Sequence, residues 1–391
     1  MSMAKESRNS EELMLADLSH WEIGPYHGAL PGQMCLRLTL DGEVVVSGKV
    51  ETGFLHRGLE KAIEIHPWRA AITYADHLDP EAAVFGELAL CLAVEQIAGY
   101  QIPARAVAIR AILSELSRVS AHMLHMVKVA NSVGAETMIH YVLRDRERVL
   151  DLFELLTGAR FSLSFLRFGG VRNDVTEGFI ERVLEACVLI RARIKEYNDL
   201  FTFNRTFLKR TSKVGVITPE LAKKTGLTGP NARASGLPMD VRRAFPYLNY
   251  PSQDFDVPVG RGEGGAVGDA HDRFLVRLRE IGESLGILRH LAESMPAGDF
   301  LCPGVELDAA TPETVALQIP PGEAYARIES SRGLLSCHVI SDGGERPARV
   351  QFGVPSVAAL AALPEVLKGI WIEDLPVVLS SLDISLAEAD R

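Results

Sequence analysis

No two cysteines in the 391 residues stand in a C-x-x-C spacing: Cys35, Cys91, Cys187, Cys302 and Cys337 are odd in number and far apart. Disulfide frameworks and thiolate metal sites rely on recurring cysteine spacings, so these five read as reduced, mostly buried thiols with no cluster of their own. Long apolar runs are missing too. The best, Ala82 to Ala98, is broken by Glu87 and Glu95, whereas a spanning helix needs about 20 predominantly apolar residues. Any membrane association is therefore expected to be indirect. There is no Lys/Arg run, and a formal net charge of -10 argues against a phosphate-gripping surface, so nucleic acid is not an expected partner. The segment MSMAKESRNSEELM has neither an apolar core nor an Arg-rich amphipathic pattern. It reads as neither secretory signal nor transit peptide, which points to a cytoplasm-like compartment. The absence of a G-x-S-x-G elbow leaves hydrolase chemistry unsupported.

What is present is globular composition, 47% hydrophobic and 24% charged. The mean hydropathy of +0.10 hints at more apolar surface than a free monomer needs, and burial in an assembly is one explanation. Single cores stop growing near roughly 250 to 300 residues, so sub-domains are expected. MCLRLTLDGEVVVSGKVE at 34 to 51 alternates apolar and polar positions around Asp41-Gly42, a hairpin signal. From Glu81 to Lys213 the period becomes helical, with breaks at Gly99-Tyr100, Gly134 and Gly169-Gly170. Residues 214 to 268 are rich in Gly and Pro and predict either an ordered functional loop or a mobile surface one. HDRFLVRLREIGESLGILRHLAESM returns to helix, and strand-like runs with short helices follow Ala324. The reading is an α+β protein: a tail over 1–21, a β-rich piece with a small antiparallel sheet over 22–80, a long-helix bundle over 81–300, and an α+β extension over 301–391.

Several chemical motifs fail on inspection. GRGEGGAVGD has no G-K-[ST] and breaks the G-x-G-x-x-G spacing. His122 and His125 share a helical face but have no adjacent carboxylate or H-E-x-x-H, so a packed or interfacial role is preferred over metal ligation. Arg144, Asp145, Arg146, Glu147 and Arg148 read most simply as a solvated helix face with local ion pairs.

Other segments carry a family resemblance, in order along the chain: GPYHGALPG, GFLHRGLEKAIE, LSELSRVSAHMLHM, ERVLDLFELLTGAR, FNRTFLKRTSKVGVI, ASGLPMDVRRAFPYLNY, FDVPVG, HDRFLVR, PPGEAYARIESSRG, SDGGERPAR and LDISLAEADR. From about residue 22 to 391 the chain resembles the D (49-kDa) subunit family of NADH-quinone oxidoreductase, respiratory complex I, a relative of the nickel-iron hydrogenase large subunit. A hydrogenase proper would hold its metals with two C-x-x-C pairs. Here the matching stretches read YADHLDPEAA and LAEADR, which excludes that chemistry. The resemblance implies a chain packed against an iron-sulfur subunit carrying the terminal cluster, other peripheral-arm subunits and membrane-arm subunits, on the cytoplasmic side of a bacterial membrane. No cofactor is expected on this chain; NADH, FMN, iron-sulfur clusters and quinone belong to, or between, partner subunits. His56 and Arg57 match the family's H-R-G and are expected near the partner's cluster, where a guanidinium favours the reduced state; the plainer alternative is a loop anchor.

The expected quinone-headgroup residues are altered. In ungapped register, the family's second N-terminal His falls on Pro31, its quinone Tyr on Pro80, the Asp partnering that His on Ser132, and a further His near the cluster on Ser162. Quinone reduction takes up two protons, so donors are physically required. His27, Tyr74, His77 and Asp79 are the nearby candidates, each also readable as a packing or cleft residue. The expectation is a subunit forming part of a quinone-reduction cavity in a proton-translocating complex. The alternatives are a non-catalytic scaffold paralogue and a subunit of a hydrogenase-like membrane complex.

Overall fold

The computed structural model describes residues 18–303, 305 and 317–391. The alternating N-terminal segment forms an antiparallel sheet in the order β1 (Ser19–Ile23), β2 (Cys35–Asp41), β3 (Val44–Glu51). Gly42, at φ 59°, sits in the turn between β2 and β3, a conformation that a residue with a β-carbon adopts only at a cost. Leu36, Leu38 and Leu40 point into the core while Arg37 between them is exposed, the period-2 arrangement that pins register.

The helical stretch resolves into α1 (Leu59–Ile65), α2 (Trp68–Asp76), α3 (Val84–Ala98), α4 (Ala104–Ser132), α5 (Glu136–Thr157) and α6 (Phe179–Tyr197). Left-handed Gly99 closes α3, Pro103 precedes α4 and left-handed Gly158 closes α5, the helix punctuation that backbone sterics favour. Phe168 and Gly169 form the turn of a minimal hairpin between β4 (Leu166–Arg167) and β5 (Gly170–Val171). The two acids that interrupt the apolar run are buried in α3: Glu95 takes Arg110 Nη1 at 2.8 Å, and Glu87 Oε2 accepts the Leu166 N–H at 2.8 Å. That helix is core because Glu95 is paired with Arg110, while burial and the neighbouring Asp76 push the Glu87 carboxyl well up towards its neutral form.

The Gly/Pro-rich stretch is ordered. It holds α7 (Arg205–Thr211) at its entrance, then α8 (Pro219–Thr225), α9 (Gly229–Ala234) and α10 (Val241–Ala244). Its glycine run is tied to the start of α11 (Ala270–Glu293) by two carboxylates. Asp269 Oδ2 accepts Lys213 N at 2.8 Å and Asp272 Oδ2 accepts Gly262 N at 2.9 Å. A β-carbon on Gly260 would lie 1.9 Å from the Ala234 carbonyl oxygen, so only glycine fits there.

A second antiparallel sheet follows, β6 (Gly322–Glu329), β7 (Leu334–Ser341) and β8 (Arg349–Gly353), then α12 (Pro355–Val366), α13 (Leu375–Leu382) and α14 (Leu386–Ala389). Two buried clusters result. The larger joins the long helices to this second sheet. The smaller draws on both ends of the chain: Leu36, Leu38 and Val45 from the first sheet pack with Leu363, Val366 and Leu379 from α12 and α13. Backbone bonds lace the same junction, from Val45 N to Ile370 O at 2.9 Å and from Gly369 N to Val45 O at 2.7 Å.

The Arg144–Arg148 run departs from the sequence expectation of a uniformly solvated face, because Asp145 and Arg146 are buried. Asp145 accepts the Tyr197 hydroxyl at 2.6 Å, so α6, packed against that helix, supplies what the local pattern could not show.

Candidate functional site

The H-R-G segment lies in the loop leading into α1, and its side chains reach the end of the chain. His56 Nδ1 lies 2.9 Å from the Asp390 carbonyl, which makes Nδ1 the protonated nitrogen, and Leu55 N donates to Asp390 Oδ2 at 3.0 Å. Arg57 Nη2 donates to the carbonyls of His77 and Ala387, both at 3.0 Å. His56 and Arg57 remain exposed otherwise, beside the exposed Phe54.

Behind them is a buried charge cluster. Arg332 bonds Asp79 and Glu81 and donates from Nε to the Asp383 carbonyl at 2.8 Å. Ser385 Oγ donates to Asp79 Oδ1 at 3.2 Å. Lys128 reaches Glu81 at 2.5 Å and Asp383 at 3.1 Å. Glu388 Oε1 accepts the Ser356 N–H at 3.0 Å. Burial raises the Asp79 carboxyl, with Arg332 pulling against it. Burial also acts on Asp383, but Arg332 and Lys128 outweigh it and hold that carboxyl well below the ordinary range. Burial and neighbouring Asp79 push Glu388 up to about 7. Four carboxylates facing two cations leave excess negative charge in low dielectric, and protons reside most easily on Asp79 and Glu388.

The six candidates divide. His56, Arg57, His77 and Asp79 all meet the closing LDISLAEADR segment or one another; His77 is exposed, with Nδ1 2.8 Å from Thr73 O and its backbone carbonyl on Arg57. Tyr74 turns away and pairs with His66, hydroxyl to Nε2 at 3.2 Å. His27 is exposed, its Nδ1 accepting Ala29 N at 3.2 Å, and its loop approaches the closing segment at Gly32, where a β-carbon would sit 3.1 Å from Leu386 Cδ1. Of the altered positions, Ser132 donates to Val129 O at 2.7 Å and accepts from Ser380 Oγ at 3.0 Å. Pro80 and Ser162 line one small cavity, and Pro31 is half-buried in the loop after β1. His122 finds a distant carboxylate, Glu280, at 2.9 Å, while His125 Nε2 lies 3.3 Å from Ser381 O; burial lowers both imidazoles. Lys128, Arg332, Asp383 and Glu388 were not singled out by sequence reasoning, although the motifs ESSRG and LDISLAEADR contain three of them.

The geometry is a long-helix bundle with small antiparallel sheets, its C-terminal segment drawn back against an H-R-G loop. The family model described as "Respiratory-chain NADH dehydrogenase, 49 Kd subunit" matches residues 132–391. The NADH-quinone oxidoreductase D 2 subunit of Thermodesulfovibrio yellowstonii is 37% identical, covering 95% of this chain and 96% of that protein. NADH-quinone oxidoreductase subunit 4 of Thermus thermophilus is also 37% identical, with coverages of 94% and 93%. A chain of the membrane-bound sulfane sulfur reductase, an archaeal respiratory membrane complex, superposes with a TM-score of 0.89 at 33% identity, covering 96% of this chain and 99% of that one. The chain belongs to the 49-kDa (D-type) subunit family of the respiratory-chain NADH dehydrogenases. No helix among the described residues is long and apolar enough to cross a membrane.

Proposed function

We propose that this chain is a peripheral-arm subunit of a complex I-like oxidoreductase, where it forms one wall of the acceptor cavity beside an iron-sulfur subunit on the cytoplasmic side of a bacterial membrane. The observation that carries the reading is the exposed His56-Arg57 pair seated on the C-terminal segment. Among the described residues Arg57 hydrogen-bonds only carbonyls, which leave its charge unneutralised on an exposed side chain. A guanidinium held this way favours an added electron on a neighbouring cluster. NADH, FMN and the clusters are assigned to partner subunits, and electrons reach the acceptor from the iron-sulfur partner. His77, exposed and with Nδ1 occupied by Thr73 O, offers Nε2 as a proton-transfer group. Asp79 and Glu388 form a proton store behind it, and coupling to proton translocation belongs to the same reading.

The altered Pro31, Pro80, Ser132 and Ser162 favour one further reading, an acceptor other than quinone. The sulfane sulfur reductase relative gives that reading a concrete chemistry.

The test uses membranes in which this chain is the sole subunit of its type. NADH-driven reduction of a short-chain quinone should fall about tenfold or more in Arg57→Ala and in His77→Ala with assembly intact, the scale of one lost charged hydrogen bond. A fully assembled complex that reduces no quinone would overturn the quinone reading. Reduction of a sulfane-sulfur compound by the same membranes would put the second reading in its place, and no activity with either acceptor would leave a scaffold.

A further inference from the structure

Pro80 and Ser162, the positions where the family resemblance expects a tyrosine and a histidine, line the same cavity together with Ser117, Ser120 and Arg146. Its volume is about 20 Å³, room for one occupant the size of a water molecule.

Arg146 is 7% exposed. Its Nε donates to Ser120 Oγ at 3.1 Å and to Ser120 O at 3.3 Å, and its guanidinium carbon lies 5.7 Å from the Phe161 ring centre. Among the described residues its two Nη nitrogens meet no protein acceptor and no carboxylate stands within ion-pair distance, and neither nitrogen is among the fully enclosed polar atoms, so the fork opens to solvent or to the cavity. This sets it apart from the other buried arginines. Arg110, Arg118, Arg233, Arg242 and Arg332 each meet a carboxylate. Arg273 and Arg277 do not, but they direct their Nη groups to Gly215 O, Gly268 O, Ser381 Oγ and Asn231 Oδ1.

A buried guanidinium without a counter-charge is costly, and burial pushes Arg146 down, with Glu81 and Glu147 pulling the other way. Neither acid neutralises it directly. Glu81 also lines the cavity, but its Oε2 is held by Lys128 and Arg332, and Glu147 is taken by Arg160. Two free N–H donors in fork geometry, with the hydroxyls of Ser117, Ser120 and Ser162 around the same space, describe a receptor for negative charge.

We propose that Arg146, with these serines, forms a subsite for one small monoanion: either a free ion of halide or hydrosulfide size, or the negatively charged terminal atom of a reduced acceptor. The anion site rests on Arg146 and its cavity alone; only the link to an acceptor rests on the function proposed above. In the second case, the guanidinium supplies the hydrogen bonds that the absent tyrosine and histidine would have given, and it stabilises charge as electrons arrive.

Crystals of the assembled complex soaked in sodium bromide test the site, read by the anomalous signal of bromine. The expected result is a peak within hydrogen-bonding distance of the Arg146 Nη nitrogens, lost in Arg146→Gln and weakened in Arg146→Lys, which keeps the charge but not the fork. An empty cavity beside a well-ordered Arg146 in the unmodified complex overturns the proposal, and that outcome needs no variant to fold. Steady-state kinetics then separate the two sources. Bromide that raises the acceptor KM about tenfold at unchanged kcat assigns the site to the acceptor's charged end; an unchanged KM alongside the bromide peak assigns it to a free ion. A complex that reduces no acceptor, yet still shows the peak, fails the proposed function and leaves the anion site standing.

Discussion

Glu388 is wholly enclosed by the second core, Ser356, Asp79 and Arg332, and it carries the clearest pH signature in the candidate site. Its folded-state value of about 7 lies above the ordinary 4.5, so between those values the folded chain binds the proton more tightly than the unfolded one. The stability this adds is present in full below 4.5 and is lost as the pH rises through 7, on the order of 3 kcal/mol at the limit. Glu388→Gln retains an oxygen for Ser356 N and cannot ionise. Thermal melts should therefore place this variant above the parent at pH 8 and level with it near pH 4.5; equal melting temperatures at both would show that Glu388 does not titrate in this window. At this scale, part of the candidate site could be read from the sequence. His56, Arg57 and Asp79 stand in short motifs whose register can be carried across without a gap. Lys128 stands in none of those motifs, and Arg332, though inside ESSRG, acquires meaning only when the fold brings its charge, like that of Lys128, to Asp383 and Glu81. Arg146 was visible as one charge in a run of charges, and its burial follows from neighbours on other helices.

Elements differ in how much of their stability is written locally. The β2–β3 turn was readable because an Asp-Gly pair between alternating residues encodes its own geometry. The Gly-rich loop before α11 was not, since its order comes from Asp269 and Asp272 accepting the backbone N–H groups of Lys213 ahead of the loop and Gly262 within it. Two glycines separate these causes. At Gly42 the backbone is left-handed and a β-carbon would meet nothing within 4 Å, so Gly42→Ala should cost only the conformational term, about 1–2 kcal/mol. At Gly260 a β-carbon would collide with the Ala234 carbonyl, and neither backbone can yield without moving α9. Gly260→Ala should cost more than about 3 kcal/mol. Denaturant midpoints at matched slope decide this, and equal losses at the two positions would mean that the loop before α11 adjusts as easily as a hairpin turn.

Across the whole molecule, the smaller core makes the first sheet and the C-terminal helices one physical unit despite their separation along the chain. The H-R-G loop follows the first sheet and the closing segment follows the C-terminal helices, so the integrity of that unit sets whether Arg57 meets Ala387 and His56 meets Asp390. Composition and periodicity divide the chain into successive pieces, and nothing local signals that β3 will pack on α12. Leu363 is fully buried in this core, and Leu363→Ala should cost about 2–5 kcal/mol. Because the larger core has its own buried cluster around α4, that loss should be uneven. Hydrogen exchange in the assembled complex should quicken in residues 34–45 and 359–382 together, while amides of α4 between Ile109 and Met126 keep their protection. Equal acceleration in all three regions would instead show a single cooperative unit, in which a defect at the closing segment spreads to the central helices as readily as to the H-R-G loop.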